Sequence, residues 1–504
     1  MNISEALRRD MEAKGIDVEL TLSILKDYNE GFYDSVRPVK AVGVPAVDNR
    51  SVISLDKGLS YSVPAEEGRR RMAELDLPIP AAAFESGSEL RFTQAALAEL
   101  GERLFPRTAY GVLNGGSATS YADRKKNQAF GAEVFSALEA PFEELAPLCE
   151  GRPKGLTPAY INPDGTPGAS FLQLKLRARL LAARAYRGRY GRDDRPILPL
   201  FQMTSANTDA ELARAYKEYE EGEILRPLAE SLGMPACSFR TGVQPMLGAY
   251  THSDAGKPKS IFDRANGKPD TSLALPGGHG QCFRVLSTVL RDLRDSGIRY
   301  AYLGNVDNLG YLPDPLEIGL AALSGQPAAF DFSVRTPVDV KGGILVETSE
   351  GRRLVADIGP ALPFAELQRL EEEGATILFN CATGLFDLDW LVPRLDEVAR
   401  SLPVRFSDQD KDAGRYSQAE QVTWEVTGLL PSFLAFAVNK YDRFIAAKML
   451  AETLLTSGVG ADDPRLPADL AATSSLLRAG LEWKLAGPYG MELWDGRWTP
   501  RDAG

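Results

Sequence analysis

Histidine and cysteine are scarce in this chain, and their scarcity limits the chemistry available to it. The 504 residues include only two histidines, His252 and His279, so a histidine-based metal site or catalytic triad has few positions. The four cysteines lie far apart and form no Cys-x-x-Cys pair. This spacing argues against a zinc site or a disulfide framework and favours a reducing, cytoplasmic environment.

Long apolar runs and an excess of basic residues are also absent. No stretch reaches the roughly 18 apolar residues of a membrane-spanning helix, and the charged N-terminus lacks the apolar core of a secretion signal. The net charge of −12 argues against a nucleic-acid or anionic-membrane partner, because both require a basic surface. We therefore expect a soluble protein that meets any phosphate with a local group of residues.

The order of apolar patterns divides the chain into three predicted parts. Residues 1–105 are predicted to form a mainly helical N-terminal segment and residues 401–504 a helical C-terminal domain. In residues 106–400, short apolar runs alternate with amphipathic stretches, which predicts an α/β fold with a largely parallel sheet covered on both faces. The predicted strands of this part are 108–113, 196–203, 236–239, 298–304, 329–334 and 376–380.

Other segments of the central part have clear local signatures. Apolar spacing predicts helices at 170–186 and 281–296. Two β-rich runs around Ser-Glu-Gly predict a hairpin at 341–359, and the polar segment 251–274 is predicted to be a long surface loop.

A first glycine-rich turn follows the strand that ends at Leu113. Asn114-Gly115-Gly116 would let backbone N–H groups approach a phosphate or a base closely, although a Gly-Gly pair after a strand is more often a tight turn. The turn matches neither the Walker A spacing nor the G-x-G-x-x-G pattern.

A second glycine turn, Pro276–Gly280, lies immediately before the predicted helix 281–296. Glycines such as Gly278 at the start of a helix favour an anion site, and His279 could donate a hydrogen bond to phosphate or ribose. The alternative is a loop histidine that caps its own turn.

Two further turns carry charged side chains. Asn305 and Asp307 are two residues apart and point to the same side of an extended chain. A single carboxylate at a strand end suits Mg²⁺ when phosphates and water supply its other oxygens, and an Asx turn is the alternative. In the last turn, Lys341 beside Gly342 could face an anion, although a solvated turn lysine is commoner.

Taken together, these turns resemble the family of UTP–glucose-1-phosphate uridylyltransferases, or UDP-glucose pyrophosphorylases, of the eukaryotic type. The family shows L-N-G-G-x-G-T-S, P-P-G-H-G, N-I-D-N-L-G and D-V-K-G-G in this order, and the chain shows LNGGSATS, PGGHG, NVDNLG and DVKGG. FNCATGLF and LFQMTS echo two further family motifs, F-N-x-N-N-L-W and L-x-x-M-N-S. The resemblance spans roughly residues 110–390 and implies a Rossmann-like, GT-A-like nucleotidyltransferase fold with a mixed, mostly parallel sheet.

The resemblance implies transfer of the uridylyl group of UTP to a sugar 1-phosphate, with Mg²⁺ on Asp307. His279 favours glucose 1-phosphate, because N-acetylglucosamine-1-phosphate uridylyltransferases usually show N-G instead of the P-G-H-G histidine. A broad UDP-sugar pyrophosphorylase is the close alternative. The alternative from another class is an inactive nucleotide-sugar-binding scaffold, because residues 121–150 follow the first motif and Ser117-Ala118 replace an apolar residue and a glycine.

The family's first motif continues into P-K-[SG], whose lysine neutralises the nucleotide phosphates. Residues 121–150 are predicted to be an inserted helical excursion broken by Pro141 and Pro147, so the role falls to Lys154 in RPKGL. Lys125 and Lys126 are nearer in sequence but lack the Pro-rich strand and helix that follow.

Other residue roles follow from the same resemblance. Gln244 would read uracil, and Lys440 in FAVNK would be the phosphate-contacting lysine of the family's F-L-P-V-K. Asn305 and His279 would position ribose or sugar phosphate. The full implied substrate set is Leu113, Asn114, Gly115, Gly116, Gln244, Gly278, His279, Asn305, Lys341, Gly342, Asp357 and Asn380, of which Asp357 and Asn380 would accept sugar hydroxyls. Residues 440–485 predict helices rather than the family's C-terminal β-helix, so no oligomeric state is predicted.

Overall fold

A computed structural model describes residues 3–35, 39–129, 131–193, 195–336, 339 and 342–501 of the chain. The strands are β1 (Val52–Ser54), β2 (Ser60–Pro64), β3 (Ala83–Ser86), β4 (Glu89–Thr93), β5 (Thr108–Leu113), β6 (Leu200–Ser205), β7 (Phe239–Gln244), β8 (Met246–Gly248), β9 (Tyr250–Thr251), β10 (Ala274–Pro276), β11 (Tyr300–Asn305), β12 (Ala328–Val334), β13 (Gly343–Glu347), β14 (Arg353–Asp357), β15 (Leu378–Asp387), β16 (Arg405–Lys411), β17 (Gly414–Glu420), β18 (Leu434–Val438), β19 (Met491–Trp494) and β20 (Arg497–Pro500). The α-helices are α1 (Glu5–Ala13), α2 (Val18–Asn29), α3 (Ala65–Glu74), α4 (Gln94–Arg103), α5 (Arg124–Gln128), α6 (Ala132–Cys149), α7 (Phe171–Tyr190), α8 (Asp209–Glu221), α9 (Arg226–Leu232), α10 (Cys282–Val285), α11 (Ser287–Asp295), α12 (Pro315–Ser324), α13 (Phe364–Glu372), α14 (Leu388–Leu391), α15 (Leu395–Ser401), α16 (Lys440–Arg443), α17 (Leu450–Thr456) and α18 (Ala468–Ala486).

A large central sheet organises the chain, and its strand order is β1-β18-β12-β15-β11-β5-β6-β7. Neighbouring strands are parallel except around β15, which runs antiparallel to β11 and β12, and the β13-β14 hairpin joins the sheet through β15. The predicted mixed, mostly parallel sheet is therefore confirmed. The carboxyl ends of β5, β6, β7, β11, β12 and β18 all lie at one edge.

Both faces of the sheet are covered, as expected for parallel strands with continuous apolar runs. Along β5, Tyr110 and Val112 pack into one apolar cluster, while Ala109 and Leu113 pack into the cluster on the opposite face. A Cβ atom on Gly111 would lie 2.0 Å from the ring of Phe201 on β6, so only glycine allows this close strand packing.

The expected helical character of the two flanking segments is wrong in part. Residues 52–64 and 83–93 contain β1 to β4, and residues 405–438 contain β16 to β18. β1 pairs with β18 at the end of the central sheet, and pairing with a neighbouring strand outweighs the local helical spacing on which the expectation rested. The boundaries at 105 and 400 themselves stay predictions.

Several local predictions are confirmed. α7 begins with a capping box in which Ser170 and Gln173 bond reciprocally to backbone N–H groups. The 341–359 hairpin forms as β13 and β14, and the 281–296 helix forms as α10 and α11. The strand predicted at 196–203 starts only at Leu200, because Leu198 has a positive φ of 48° and Pro199 donates no hydrogen bond.

The insertion 121–150 folds as α5 and α6. Pro141 and Pro147 do not break α6, contrary to the prediction, and the helix continues through both. Its apolar side, which includes Phe135, Leu138 and Phe142, is buried in the core, so tertiary packing compensates for the missing backbone bonds. None of the helices in the described residues is long and apolar enough to span a membrane, and all four cysteines are free.

Candidate active site

A cleft of about 260 Å³ opens at the edge of the sheet where β5, β6, β7 and β11 end. Its walls are formed by Leu113, Gly115, Gly116, Lys154, Met203, Gln244, Pro276, Gly278, His279, Asn305, Val306, Asp307, Glu420 and Lys448. Nine residues of the predicted site therefore meet here, although their order along the chain separates them by up to about 190 positions.

Lys154 reaches the cleft because the insertion returns to its starting point. The backbone N–H of Lys154 donates to the carbonyl of Gly116 at 2.9 Å, and the N–H of Ala118 donates to the carbonyl of Arg152 at 2.7 Å. Residues 121–150 are thus an excursion between two paired segments. The absence of a Cβ on Gly155 permits this approach, since a Cβ there would lie 2.4 Å from Oδ1 of Asn114.

Asp307 is the charged centre of the cleft and faces two lysines. Its Oδ2 lies 2.5 Å from Nζ of Lys154 and 3.2 Å from Nζ of Lys448. Lys154 also donates to the carbonyl of Ala447 at 2.5 Å. Burial would raise the pKa of Asp307, but the two ammonium charges outweigh it and hold that pKa well below its usual value. The carboxylate is therefore ionised throughout the physiological pH range.

The second oxygen of the same carboxylate is uncommitted. Oδ1 of Asp307 is buried and has no hydrogen-bond partner among the described residues. A buried carboxylate oxygen without a partner is costly unless a ligand satisfies it. The donor set fits Mg²⁺, which takes one or two carboxylates from the protein and completes its shell with phosphate and water oxygens.

Asn114 lies beneath the glycine turn rather than in the cleft wall. It is fully buried, and its Nδ2 donates to Oε1 of Gln202 at 3.3 Å. Gln202 also accepts a hydrogen bond from the hydroxyl of Tyr216 at 2.6 Å and donates to Thr241 at 3.0 Å. This polar network fixes the conformation from which Gly115 and Gly116 present their N–H groups.

His279 is neutral in this environment. Burial lowers its pKa to about 4, and the charge of Lys448 lowers it further than Asp307 raises it. Its Nδ1 accepts the backbone N–H of Thr423 at 3.1 Å and lies 2.7 Å from the Thr423 hydroxyl, so we assign the ring proton to Nε2. A neutral histidine in the cleft wall can donate a hydrogen bond, and it adds no charge near Asp307.

Gln244 ties the end of β7 to the second glycine turn. Its Nε2 donates to the carbonyl of Gly278 at 2.8 Å and to Oε1 of Gln281 at 2.9 Å. Gly278 has a φ of 80°, which favours glycine at this position. The amide hydrogens of Gln244 are thus engaged, and its Oε1 is the atom left to meet a ligand.

A family model described as UTP–glucose-1-phosphate uridylyltransferase matches residues 251–458, which include the second and third turns and Lys448. This part of the chain is similar to the family that the sequence motifs indicated. The resemblance based on the turns is thereby confirmed. A curated relative, a probable UTP–glucose-1-phosphate uridylyltransferase of Schizosaccharomyces pombe, is 26% identical over 197 residues. The alignment covers 38% of this chain and about a third (34%) of that protein's length.

Solved structures of UDP-sugar pyrophosphorylases share the fold. The UDP-N-acetylglucosamine pyrophosphorylase of Trypanosoma brucei, in complex with an inhibitor, superposes with a TM-score of 0.60 at 18% identity and covers 96% of this chain and 81% of its own. The Trypanosoma brucei UDP-glucose phosphorylase gives 0.56 at 17% identity, with 92% and 80% covered. A Leishmania major UDP-glucose pyrophosphorylase mutant in complex with UDP-glucose gives 0.54 at 16% identity, with 90% and 79% covered.

The structure brings Lys448, rather than the predicted Lys440, into the cleft wall. Lys440 does not line the cleft, because Asp339 and Thr336 hold its Nζ at 2.5 to 2.9 Å. Lys448 does line it, and the segment before it is fixed to the Asp307 loop by a bond of 2.9 Å from the N–H of Leu309 to the carbonyl of Ile445. The sequence held the signal, since FIAAK (444–448) fits F-L-P-V-K as well as FAVNK does.

Three other residues of the predicted site also lie outside the cleft wall. Asp357 pairs with Arg405 and lines a separate cavity of about 470 Å³. Oδ1 of Asn380 accepts the N–H of Ala382 at 3.1 Å, and the carbonyl of Gly342 accepts the N–H of Ile358 at 3.0 Å. Lys341 lies outside the described residues. Glu420, which no motif indicated, is a carboxylate in the cleft wall.

Proposed function

We propose that this chain transfers the uridylyl group of UTP to a sugar 1-phosphate, giving a UDP-sugar and pyrophosphate. The observation that carries the proposal is the convergence of Lys154 and Lys448 on Asp307 beside the N–H groups of Gly115 and Gly116. The match of residues 251–458 to the uridylyltransferase family model and the fold shared with UDP-sugar pyrophosphorylases support it.

The reaction is an electrostatic problem, because an anion attacks a polyanion. An oxygen of the sugar 1-phosphate forms a bond to the α-phosphorus of UTP, and the bond from that phosphorus to the bridging oxygen breaks, so that pyrophosphate leaves with the electron pair. The attacking oxygen is already ionised, and no proton has to move. A site with one neutral histidine is consistent with such chemistry.

Lys154 and Lys448 would neutralise charge on the transferred and leaving phosphates. Both ammonium groups face Asp307 and can exchange this contact for phosphate oxygens. A Cβ atom on Gly116 would meet no atom within 4 Å, so the space on this side of the turn is open to a phosphate. Backbone N–H groups in such a turn are suited to anions.

Asp307 would hold Mg²⁺ through Oδ1, and the ion when bound supplies Lewis-acid stabilisation of phosphate charge. The described residues contain no cluster of three or more His, Cys, Asp or Glu side chains that could hold a metal ion. A single carboxylate therefore favours an ion whose remaining ligands come from the substrate.

The remaining cleft residues would recognise base and sugar. Oε1 of Gln244 would accept a hydrogen bond from a uracil imide, and Nε2–H of His279 and the amide of Asn305 would bond ribose or sugar phosphate. The histidine of the PGGHG turn favours glucose 1-phosphate as the substrate. Since both glucose- and N-acetylglucosamine-specific proteins share the fold, N-acetylglucosamine 1-phosphate and a broad sugar range are the alternatives to be tested.

The test is pyrophosphate release from UTP with a panel of sugar 1-phosphates, with and without Mg²⁺. We expect Mg²⁺-dependent release, fastest with glucose 1-phosphate, and loss of release in Asp307→Ala. Asp339→Ala is the matched control, because Asp339 also pairs with a lysine but lies outside the cleft. UTP binding without product from any sugar phosphate would contradict the proposal and favour a nucleotide-sugar-binding scaffold.

A further inference from the structure

A buried lysine lies directly beneath the loop that carries Asp307. Lys175, in the first half of α7, is only 1% exposed. Its Nζ donates to the carbonyls of Asn308 at 2.7 Å and Tyr311 at 3.0 Å. The ammonium also lies 4.7 Å from the centroid of the Tyr311 ring. One side chain therefore holds two points of the same loop.

The loop depends on such contacts because it is buried and has no regular secondary structure. Asp307, Asn308 and Tyr311 are each at most 4% exposed, and buried carbonyls outside helices and strands need partners from elsewhere. The hydroxyl of Tyr489 donates to the carbonyl of Leu309 at 2.7 Å, and Asn308 bonds the N–H of Gly310 through its own side chain at 2.9 Å. Lys175 completes this set at both ends of the loop.

A buried lysine without a carboxylate partner is unusual for a residue that has a structural role alone. Within the described ranges, Lys175 makes no ion pair at 4 Å or less, and a buried cation without a carboxylate is costly. Burial lowers its pKa to about 7, and the charge of Asp307 opposes that shift. Methionine would fill the same space without the desolvation cost, so the chain gains something from the two hydrogen bonds that Nζ donates.

We propose that Lys175 is a positioning residue that fixes the Asn308–Tyr311 turn and thereby sets the carboxylate of Asp307 between Lys154 and Lys448. The inference rests on the proposed function, because it assigns Asp307 a place in phosphate and Mg²⁺ binding. Lys175 touches neither substrate nor metal in this account and acts only through the turn.

The same helix provides a matched control. Arg179, four residues further along α7, is also buried and donates to two carbonyls, those of Leu198 and Pro235, each at 3.2 Å. These carbonyls precede β6 and β7, at the edge of the sheet opposite the cleft. Arg179→Met therefore removes a buried cation and its two carbonyl contacts without touching the Asp307 loop.

Hydrogen exchange of the ligand-free protein, measured peptide by peptide, tests the structural half of the inference. We expect Lys175→Met to speed exchange in residues 304–312 by about tenfold or more, as expected when a local opening becomes easier. Arg179→Met should speed exchange near residues 198 and 235 and leave 304–312 within about twofold of wild type. Unchanged exchange in 304–312 of Lys175→Met would overturn the inference. Should that variant not fold, Lys175→Gln, which is shorter and uncharged, carries the same comparison.

Kinetics test the functional half. We expect Lys175→Met to lower kcat about tenfold and to raise the Mg²⁺ concentration needed for half-maximal rate, while Arg179→Met changes neither beyond about twofold. Lys175→Arg, which retains the donors and the charge, should recover part of both. Wild-type kcat and Mg²⁺ dependence in Lys175→Met would overturn the inference. An inactive wild-type protein in which Lys175→Met still loosens 304–312 would instead refute the proposed function and leave the positioning of the turn supported.

Discussion

Two lysine–aspartate pairs lie at the same edge of the central sheet, and they differ in how completely their polar atoms are satisfied. Lys154 meets Asp307 after β11, and Lys440 meets Asp339 after β12. The four side chains are similarly buried, with 6% to 12% of each exposed. Residue type, burial and position in the fold therefore do not distinguish the pairs.

Their hydrogen bonds do distinguish them. Both oxygens of Asp339 accept from Lys440, at 2.5 and 2.6 Å, and Oδ2 also accepts the backbone N–H of Thr336 at 2.9 Å. Asp307 uses only Oδ2, leaves Oδ1 buried without a partner, and has a second lysine nearby. The Lys440–Asp339 pair therefore has no free acceptor for a ligand. The Lys154–Asp307 pair has an unused acceptor and, with Lys448, an excess of positive charge. In this comparison, the unsatisfied oxygen of Asp307, rather than the residue types, distinguishes the pair that lines the cleft.

The largest expected difference between the pairs is in stability. Lys440→Met leaves the Asp339 carboxylate buried without its ammonium partner and should lower the free energy of unfolding by about 3 to 5 kcal/mol. Lys154→Met should cost less, about 1 to 2 kcal/mol, because Lys448 remains beside Asp307. Urea unfolding of both variants measures the difference. Equal losses would show that the two pairs are energetically alike.

The second difference is in catalysis, where Lys154→Met, rather than Lys440→Met, should cause the larger loss. Removing Lys154 should cost about 2 to 4 kcal/mol of transition-state stabilisation, which appears as a fall in kcat/KM of roughly 30- to 1,000-fold. Lys440→Met should have a kcat/KM within about fivefold of wild type when it is assayed at a temperature at which the variant is folded. Steady-state pyrophosphate release gives both values. A larger loss for Lys440→Met than for Lys154→Met would invert the assignment.

Lys448 should show an intermediate effect on the reaction. Its side chain is 60% exposed and lies 3.2 Å from Asp307, so water screens its charge more than that of Lys154. We expect Lys448→Met to lower kcat/KM roughly tenfold, with little change in the free energy of unfolding. The same assay checks this result, and wild-type kcat/KM would remove Lys448 from the site.

The smallest effect concerns the titration of His279. Because its pKa lies near 4 in the folded protein and near 6.5 when unfolded, the stability it contributes is complete above pH 6.5 and is lost as the pH falls towards 4. Lys448→Met should raise the pKa of His279, since the Lys448 charge depresses it, and Lys440→Met should leave it unchanged. Titration of the His279 ring by NMR measures both. An identical pKa in wild type and Lys448→Met would show that Lys448 exerts no field in the cleft.

The sequence alone predicted the sheet and the turns that follow its strands, and these turns meet at one edge for a physical reason. Glycines and polar residues directly after apolar strands, as in Asn114-Gly115-Gly116, must cluster when the strands are parallel. The role of Lys154 could also be predicted from the sequence, because the segment after it leads into the helix α7, as the family's P-K segment leads into a helix. The closure of residues 121–150 by the bond from Lys154 to Gly116 explains why a long insertion leaves the site intact.

The features that the sequence did not predict depend on contacts between distant segments. Lys440 and Lys448 are eight residues apart in similar local sequences. Contacts with distant segments, such as the bonds from Leu309 to Ile445 and from Lys154 to Ala447, direct Lys448 to the cleft. β1 was missed because a three-residue strand forms only through its pairing with β18. Lys175 carried no signal in the sequence, since a lysine in a helix that also carries several arginines is usually expected to be exposed.

A crystal structure of the chain with UTP and Mg²⁺ tests the central claim most directly. We predict that the phosphate oxygens lie within hydrogen-bonding distance of the Gly116 N–H and the Lys154 ammonium, with the metal ion on Oδ1 of Asp307 and the Lys440–Asp339 pair intact. A triphosphate bound against Lys440, with Lys154 still paired to Asp307 and no ion on that carboxylate, would contradict the account.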